Sequence, residues 1–120
     1  MTQTTKTLSD TLEAVLDQDR ELSPELHNLM RKARKASDYL KALAHENRLV
    51  ILCLLSERER SVTELEGLLA LNQATVSQQL ARLRHEGLVE TRRDGRAVYY
   101  RLADDTTRRF IQAVYEKFCR

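Results

Sequence analysis

Apolar residues recur along the chain in steps of three and four over several separate stretches. The longest stretch begins at Ser23 and Pro24 and runs to Leu43, and the next, Arg48 to Ser56, is apolar almost without a break. Steps of three and four place side chains on one face of an α-helix, whereas an unbroken apolar run is typical of a helix buried on all sides. We therefore predict an amphipathic helix with Ser23 as its N-cap, followed by a core helix.

Two capped helices are predicted to follow in tandem. Ser61 and Glu64 have the spacing of a capping box, which opens a short helix. Asn72 is the predicted N-cap of the next helix, and Gly87 is its predicted C-terminal stop. The charged string 57–60, before the first of these helices, is predicted to be a solvated turn.

A β-hairpin and a final helix complete the predicted elements. The runs 88–92 and 97–102 are joined through Asp94 and Gly95, a strong hairpin signal. The last helix is predicted from about Asp104 and carries a stripe of apolar residues.

The first 22 residues differ in composition from the rest. They carry a net charge of −3 and a short helical pattern formed by Leu8, Leu12, Val15 and Leu16. We predict an acidic, partly helical arm over 1–22 and one folded domain over 23–120. No stretch approaches the roughly 20 apolar residues of a membrane span, and the start lacks an apolar signal core. The expectation is a cytoplasmic protein without a membrane partner, whose two cysteines are kept as thiols.

Positive charge is concentrated in one part of the chain. Residues 72–101 carry a net charge of +3, and all of their positive charges at neutral pH come from arginines, with none from lysine. The planar guanidinium donates two parallel hydrogen bonds and suits phosphate contact. Charge alone is equally consistent with a solvated surface.

The order of these elements predicts the fold class and the DNA contacts. A core helix, two capped helices around a tight turn and an arginine-rich hairpin form a winged helix-turn-helix, mainly α with a small β wing. The second capped helix of such a unit enters the major groove and reads base edges from its N-terminal residues. The residues predicted to contact DNA from this helix are Gln73, Ala74, Thr75, Ser77, Gln78 and Arg82.

The hairpin offers a second predicted contact with DNA. Arg92, Arg93 and Arg96 flank its turn and are expected to gather at the tip, against the DNA backbone or in a narrow minor groove. The alternative is a loop whose charge protects an edge strand from pairing. The tandem of helix pair and arginine hairpin favours double-stranded DNA as the partner.

Other function classes have less support. The sequence has no Ser/His/Asp or Cys/His order with a supporting glycine turn, no phosphate-binding loop and no cluster of metal ligands. An enzyme is therefore not expected, and no cofactor is predicted. A winged-helix protein-interaction module is the main alternative, although a scaffold does not require the arginines.

Apolar stripes at both ends of the domain predict a homodimer. On a domain this small, so apolar a helix face is expected to be covered by another surface. A two-fold interface would place the recognition helices about 34–36 Å apart, one turn of DNA. The residues predicted at that interface are Leu26, Leu29, Phe110, Ile111, Val114, Tyr115 and Phe118.

Two stretches resemble a known family. Residues 40–52, LKALAHENRLVIL, and residues 75–89, TVSQQLARLRHEGLV, resemble the ArsR family of small bacterial winged-helix repressors. The resemblance covers roughly residues 35–119. It implies a dimer joined through N-terminal and C-terminal helices, which binds operator DNA and is released by a chemical signal.

Metal is not the expected signal. One metal site of that family uses paired cysteines on the short helix before the turn, where residues 62–66 have none. Another uses Asp and His on the final helix, which contains no histidine. His27, His45 and His85 lack ligand spacing.

The remaining candidates are Cys53 and Cys119, the only two cysteines. Their surroundings, LCLL and VYEKFC, resemble the sulfide-responsive SqrR and BigR type within the family. That resemblance implies that persulfides or polysulfides join the two thiols through sulfur and weaken operator binding. From the residues alone, a cysteine such as Cys53 is more often just a small core residue, and Cys119 is equally consistent with an idle terminal thiol. General oxidants or other ligands remain alternative inducers.

Overall fold

The computed structural model describes residues 7–13 and 23–120. Residues 38–120 form one compact unit, and the described residues before position 38 belong to another. The elements in chain order are α1 (Leu8–Glu13), α2 (Pro24–Leu43), α3 (Glu46–Glu57), β1 (Arg60–Ser61), α4 (Val62–Leu69), α5 (Gln73–His85), β2 (Val89–Asp94), β3 (Ala97–Leu102) and α6 (Asp105–Cys119).

Local capping interactions set the starts of three helices, as predicted. The Leu26 N–H donates to the Ser23 hydroxyl at 3.1 Å, so Ser23 caps α2. Ser61 and Glu64 form the complete capping box of α4, and the Thr75 N–H donates to the Asn72 side chain at 2.8 Å. These bonds satisfy backbone donors that have no partner inside the helix. The helix predicted in the acidic arm is present as α1, while Val15 and Leu16 lie outside the described residues.

The core lies where α3, α5 and α6 meet the sheet. Its buried residues form one cluster that includes Ile51, Leu52, Leu55, Leu65, Val76, Leu80, Leu83, Leu88 and Ile111. The prediction that α3 is buried on all sides is wrong. Val50 is 46% exposed and Cys53 is half-buried, because this side of α3 lines an open cavity.

The wing is a three-stranded antiparallel sheet in the order β1-β3-β2. Asp94 pairs with Ala97 at the tip, and Gly95 has φ +62°, a conformation that glycine adopts without strain. The predicted hairpin is confirmed, with its first strand shifted to Val89–Asp94. The short strand β1 was not predicted.

The string 57–60 is only in part the solvated turn that its charges indicate, because Glu57 and Arg58 are exposed but Arg60 is not. Arg60 is only 9% exposed. Its Nε donates to the Leu54 carbonyl at 3.1 Å, and its Nη2 lies 3.3 Å from Glu57 Oε1. A buried guanidinium is tolerated here because it satisfies the end of α3.

Across residues 7–13 and 23–120, none of the helices has both the length and the apolar character needed to span a bilayer.

Candidate DNA interface and thiol pair

Helix α5 has two distinct faces. Val76, Leu80 and Leu83 are buried and hold it against the core. On its other side the predicted DNA-reading residues Gln73, Ala74, Ser77 and Gln78 are exposed, whereas Thr75, next to the Asn72 cap, is half-buried. The core therefore fixes the helix while its polar N-terminal side chains stay available.

The start of α5 and the wing meet at one groove. An open cavity of about 320 Å³ is lined by Gln73 of α5, Arg96 of the wing tip and Thr63 of α4, among others. Tyr99 of β3 lines the same groove. The two predicted DNA-contacting elements thus flank one surface, and Thr63 and Tyr99 join it without having been predicted.

The wing arginines do not form the single cluster that was predicted at the tip. Arg92 pairs with Tyr99 and Arg93 with Val98 in the β2–β3 register, so the two arginines point to opposite faces of the sheet. Arg92 is bound to Glu59. Within the described ranges, no ion pair involves Arg93 or Arg96, and both are exposed. Arg82 lies farther along α5, and its Nη2 is 3.9 Å from Glu86 Oε1.

A partly buried polar link joins α5 to the end of α2. Arg48 at the start of α3 donates from Nε to the Ala42 carbonyl at 2.6 Å and from Nη2 to the Lys41 carbonyl at 3.3 Å. Its Nη1 donates to the Gln79 side chain of α5 at 3.0 Å. One guanidinium therefore connects three helices, next to the residues of α5 that are predicted to contact DNA.

The predicted dimer residues differ in exposure. Phe110, Tyr115 and Phe118 are 41%, 42% and 74% exposed, which leaves aromatic surface on α6. Ile111 is fully buried in the core of its own chain, so it supports α6 from the inside and is not on the exposed face. Val114, Leu26 and Leu29 are half-buried.

The two cysteines line one cavity. This open space of about 600 Å³ is bounded by α3 and α6, with Cys53 on the first and Cys119 at the end of the second. Its other lining residues are mostly apolar, namely Leu49, Val50, Leu54, Val114, Tyr115 and Phe118, with Ser56, Glu57 and Arg120. Both thiols are free. Residues 66 positions apart in sequence are therefore brought to a common space.

The surroundings of Cys53 disfavour its thiolate. Burial raises the pKa of the Cys53 thiol, and electrostatic interactions with Cys119 and with the Glu57 carboxylate raise that pKa further. Cys119 is exposed, so a reagent reaches it from solvent without crossing the core.

Ser56 connects the last turns of α3, which contain Cys53, to α6. Its hydroxyl donates to the Cys53 carbonyl at 2.6 Å, and its own carbonyl accepts from Arg108 of α6, also at 2.6 Å. Neither contact was predicted from the sequence, and Arg108 lies 52 positions away from Ser56.

Metal-ligating side chains are dispersed in this part of the chain. Over the described residues, no group of three or more His, Cys, Asp or Glu side chains has the arrangement needed to hold a metal ion.

Comparison with known proteins places these features in a family. The model described as "Bacterial regulatory protein, arsR family" matches residues 45–91, which run from the start of α3 into β2. The biofilm growth-associated repressor of Agrobacterium fabrum is 46% identical over 89 residues, which make up 74% of this chain and 76% of that protein.

Solved structures agree with the fold. The crystal structure of the transcriptional repressor BigR from Xylella fastidiosa is 40% identical, with a TM-score of 0.67 over 78% of this chain and 92% of that chain. The solution structure of the homodimeric winged helix-turn-helix DNA-binding domain Mb0332 from Mycobacterium bovis is 34% identical, with a TM-score of 0.68 over 80% and 86% of the two chains. The predicted family and the winged helix-turn-helix fold are confirmed. The chain belongs to the arsR family of bacterial regulatory proteins and is a DNA-binding regulator, not an enzyme.

Proposed function

We propose that this chain is a homodimeric transcriptional repressor whose operator binding is controlled by the Cys53 and Cys119 thiols. In this proposal the reduced protein binds operator DNA, and reactive sulfur species release it by joining the thiols through a polysulfide bridge. The observation that carries the proposal is that both cysteines line one open cavity.

The DNA-bound state uses the two faces that flank the groove. Helix α5 enters the major groove, where Gln73, Ser77 and Gln78 offer amide and hydroxyl groups to base edges. Arg93 and Arg96 contact the sugar-phosphate backbone, which adds affinity on any sequence. The exposure of these side chains supports this assignment.

A second copy of the chain completes the proposed DNA-binding unit. The exposed aromatic residues Phe110, Tyr115 and Phe118 provide apolar surface for it, and the related Mb0332 domain is a homodimer. Two recognition helices about 34–36 Å apart then read two half-sites of a near-palindrome.

The switch is a pair of thiol exchange steps. One cysteine thiolate attacks an inner sulfur of an organic polysulfide and displaces a thiolate, which leaves a chain of sulfur atoms on the protein. The second cysteine thiolate attacks a sulfur of that chain and displaces a second thiolate. Both protein thiols lose a proton and together lose two electrons, which leave with the displaced thiols. The inner sulfur atoms remain as the bridge.

A bridge of several sulfur atoms suits this cavity better than a direct disulfide. A disulfide requires the two Cα atoms to lie within about 7 Å of each other, whereas added sulfur atoms extend the reach of the link. The apolar lining also favours sulfur chains over hydrated oxidants.

The covalent link would tie α3 to the end of α6 and so shift the positions of the DNA-reading helices. Changing operator occupancy from 99:1 to 1:99 requires a differential of about 5.5 kcal/mol between the two states.

The test combines intact-protein mass spectrometry with DNA binding. The operator is first recovered by selecting random duplex DNA on the reduced protein. The reduced wild type, Cys53→Ser, Cys119→Ser and the double variant are then treated with organic tetrasulfide, hydrogen peroxide or a small disulfide. We expect the tetrasulfide to add sulfur atoms with loss of two hydrogens in the wild type, and to release the operator.

Both single variants should bind the operator when reduced and keep it after tetrasulfide treatment. A single variant that still releases DNA normally would contradict the paired-thiol mechanism. Equal release by peroxide, with loss of two hydrogens and no added sulfur, would instead identify general oxidants as the inducer.

A further inference from the structure

Arg92 is held by a carboxylate in the short connection between α3 and β1. Its Nε donates to Glu59 Oε2 at 3.1 Å, and its Nη2 donates to Glu59 Oε1. Two donors of the guanidinium are thus directed at both oxygens of one carboxylate, the bidentate geometry that arginine also uses for phosphate.

Tyr99 lies beneath this pair. Arg92 and Tyr99 are direct cross-strand partners, and the Arg92 guanidinium carbon is 4.8 Å from the centroid of the Tyr99 ring. A cation over an aromatic face is attracted by the ring. The side chain of Arg92 therefore crosses β3 to reach Glu59, just before β1, and spans the three-stranded wing.

The pair removes one positive charge from the wing. Arg92 stands beside Arg93 in the sequence, yet Glu59 neutralises it, and Asp94 Oδ2 lies a further 4.0 Å from its Nη1. Over residues 23–120, Arg93 and Arg96 have no ion pair and are exposed. The Glu59 pKa is lowered, first by the hydrogen bond from Arg92, so the carboxylate stays charged at neutral pH.

We propose that Glu59 limits the affinity of this protein for DNA, because its carboxylate occupies the guanidinium fork of Arg92 and withholds that arginine from the phosphate backbone. This inference rests on the proposed docking of the wing on DNA. It is independent of the thiol switch. Since phosphate contacts are the same on every sequence, Glu59 restrains binding to random and operator DNA alike.

The pair is accessible enough for its loss to matter. The Arg92 side chain is 44% exposed and that of Glu59 is 29% exposed. Ion pairs at such positions are weak because water solvates both partners. A freed Arg92 would be able to turn from the carboxylate site to a phosphate close to the wing.

The experiment compares Glu59→Gln with a matched control, Glu90→Gln. Glu90 pairs with Arg101 at 2.7 Å in the same sheet, so both variants remove one negative charge from the wing strands or their border. Binding of reduced protein to random and operator duplexes is measured by fluorescence anisotropy over a series of salt concentrations. We expect Glu59→Gln to bind both duplexes about 5-fold more tightly near 0.1 M salt, with a salt slope steeper by about 0.9, the contribution of one phosphate contact.

Arginine variants complete the test. In the wild-type background, Arg92→Ala should leave the salt slope unchanged, because that arginine does not contact DNA. Combining Glu59→Gln with Arg92→Ala should return the slope to the wild-type value. Arg93→Ala should reduce the slope by about 0.9. Thermal melting of each variant identifies any loss of folding.

Each outcome has a distinct meaning. If Glu59→Gln and Glu90→Gln change DNA affinity and the salt slope equally, the role of Glu59 is overturned. A reduced salt slope in the single variant Arg92→Ala would overturn it as well. Full affinity in both Arg93→Ala and Arg96→Ala would show instead that the wing does not dock on DNA, and the proposed docking face would then fail.

Discussion

The link made by Arg48 allows a quantitative prediction. Replacing Arg48 with Met keeps an unbranched side chain of similar length but removes three hydrogen bonds, two to carbonyls at the end of α2 and one to Gln79 of α5. It also removes a cation from the negative end of α2. The Ala42 carbonyl, bound at 2.6 Å, loses its guanidinium partner.

The expected cost follows from the number of bonds and the exposure of the side chain. A hydrogen bond from a charged donor contributes about 1.5–3 kcal/mol. Arg48 is half-buried, and water can replace part of what is lost, so the sum falls to about 2–4 kcal/mol in the free energy of unfolding. For a domain of this size, that loss lowers the melting temperature by roughly 10–20 °C.

Circular dichroism at one fixed protein concentration measures the melting temperature, with urea unfolding as a second measure. Arg58→Met is the matched control, because Arg58 also pairs with a neighbouring side chain, Glu64, but is 60% exposed. It should change stability little. Gln79→Leu removes only the α5 branch and should weaken operator binding more than it lowers stability. If Arg48→Met has the same melting temperature as the wild type, the hydrogen bonds of Arg48 do not hold α2 to α5, and the reasoning is refuted.

Three further predictions concern DNA reading, assembly and thiol reactivity. Gln78→Ala should narrow the difference in binding free energy between operator and random DNA by about 1–3 kcal/mol, because its side chain is proposed to read a base. Binding assays on both duplexes measure this difference, and an unchanged affinity ratio would exclude Gln78 from base contact. Phe118→Ser should shift sedimentation of the protein toward monomer, since it removes the most exposed aromatic residue of α6, and a monomeric wild type at micromolar concentration would contradict the proposed dimer. In a Cys119→Ser background, Glu57→Gln should speed the alkylation of Cys53 by iodoacetamide at pH 7–8, because the negative charge of Glu57 raises the Cys53 pKa. The pH profile of the alkylation rate should move to lower pH, and identical profiles would show that this charge does not act on the thiol.

The features predicted correctly are those encoded by neighbouring residues. Ser61 with Glu64, Asn72 with Thr75, and Gly95 each set a cap or turn through atoms only a few positions apart. The spacing of apolar residues on α5 was sufficient to assign its buried face because one helix repeat relates them.

Features formed by distant residues were missed or left open. Glu59 and Arg92 are 33 positions apart, and their pairing depends on the order β1-β3-β2, in which a strand of two residues gives almost no sequence signal. Arg60 looks solvated by composition, yet the end of α3 buries it. The shared cavity of Cys53 and Cys119 depends on how α6 packs on α3, which no local pattern specifies.

The separation of the two faces of α5 has a consequence for how such regulators diversify. Its exposed N-terminal side chains have no part in the buried cluster formed by Val76, Leu80 and Leu83, and none of them lines the cavity that holds the cysteines. Gln73, Ser77 and Gln78 are therefore open to replacement as a block, with little cost to folding or to thiol chemistry. A gene duplicate would be able to acquire a new set of target promoters while it keeps the same chemical input. The same property makes this helix a suitable place to retarget the protein in an engineered genetic circuit.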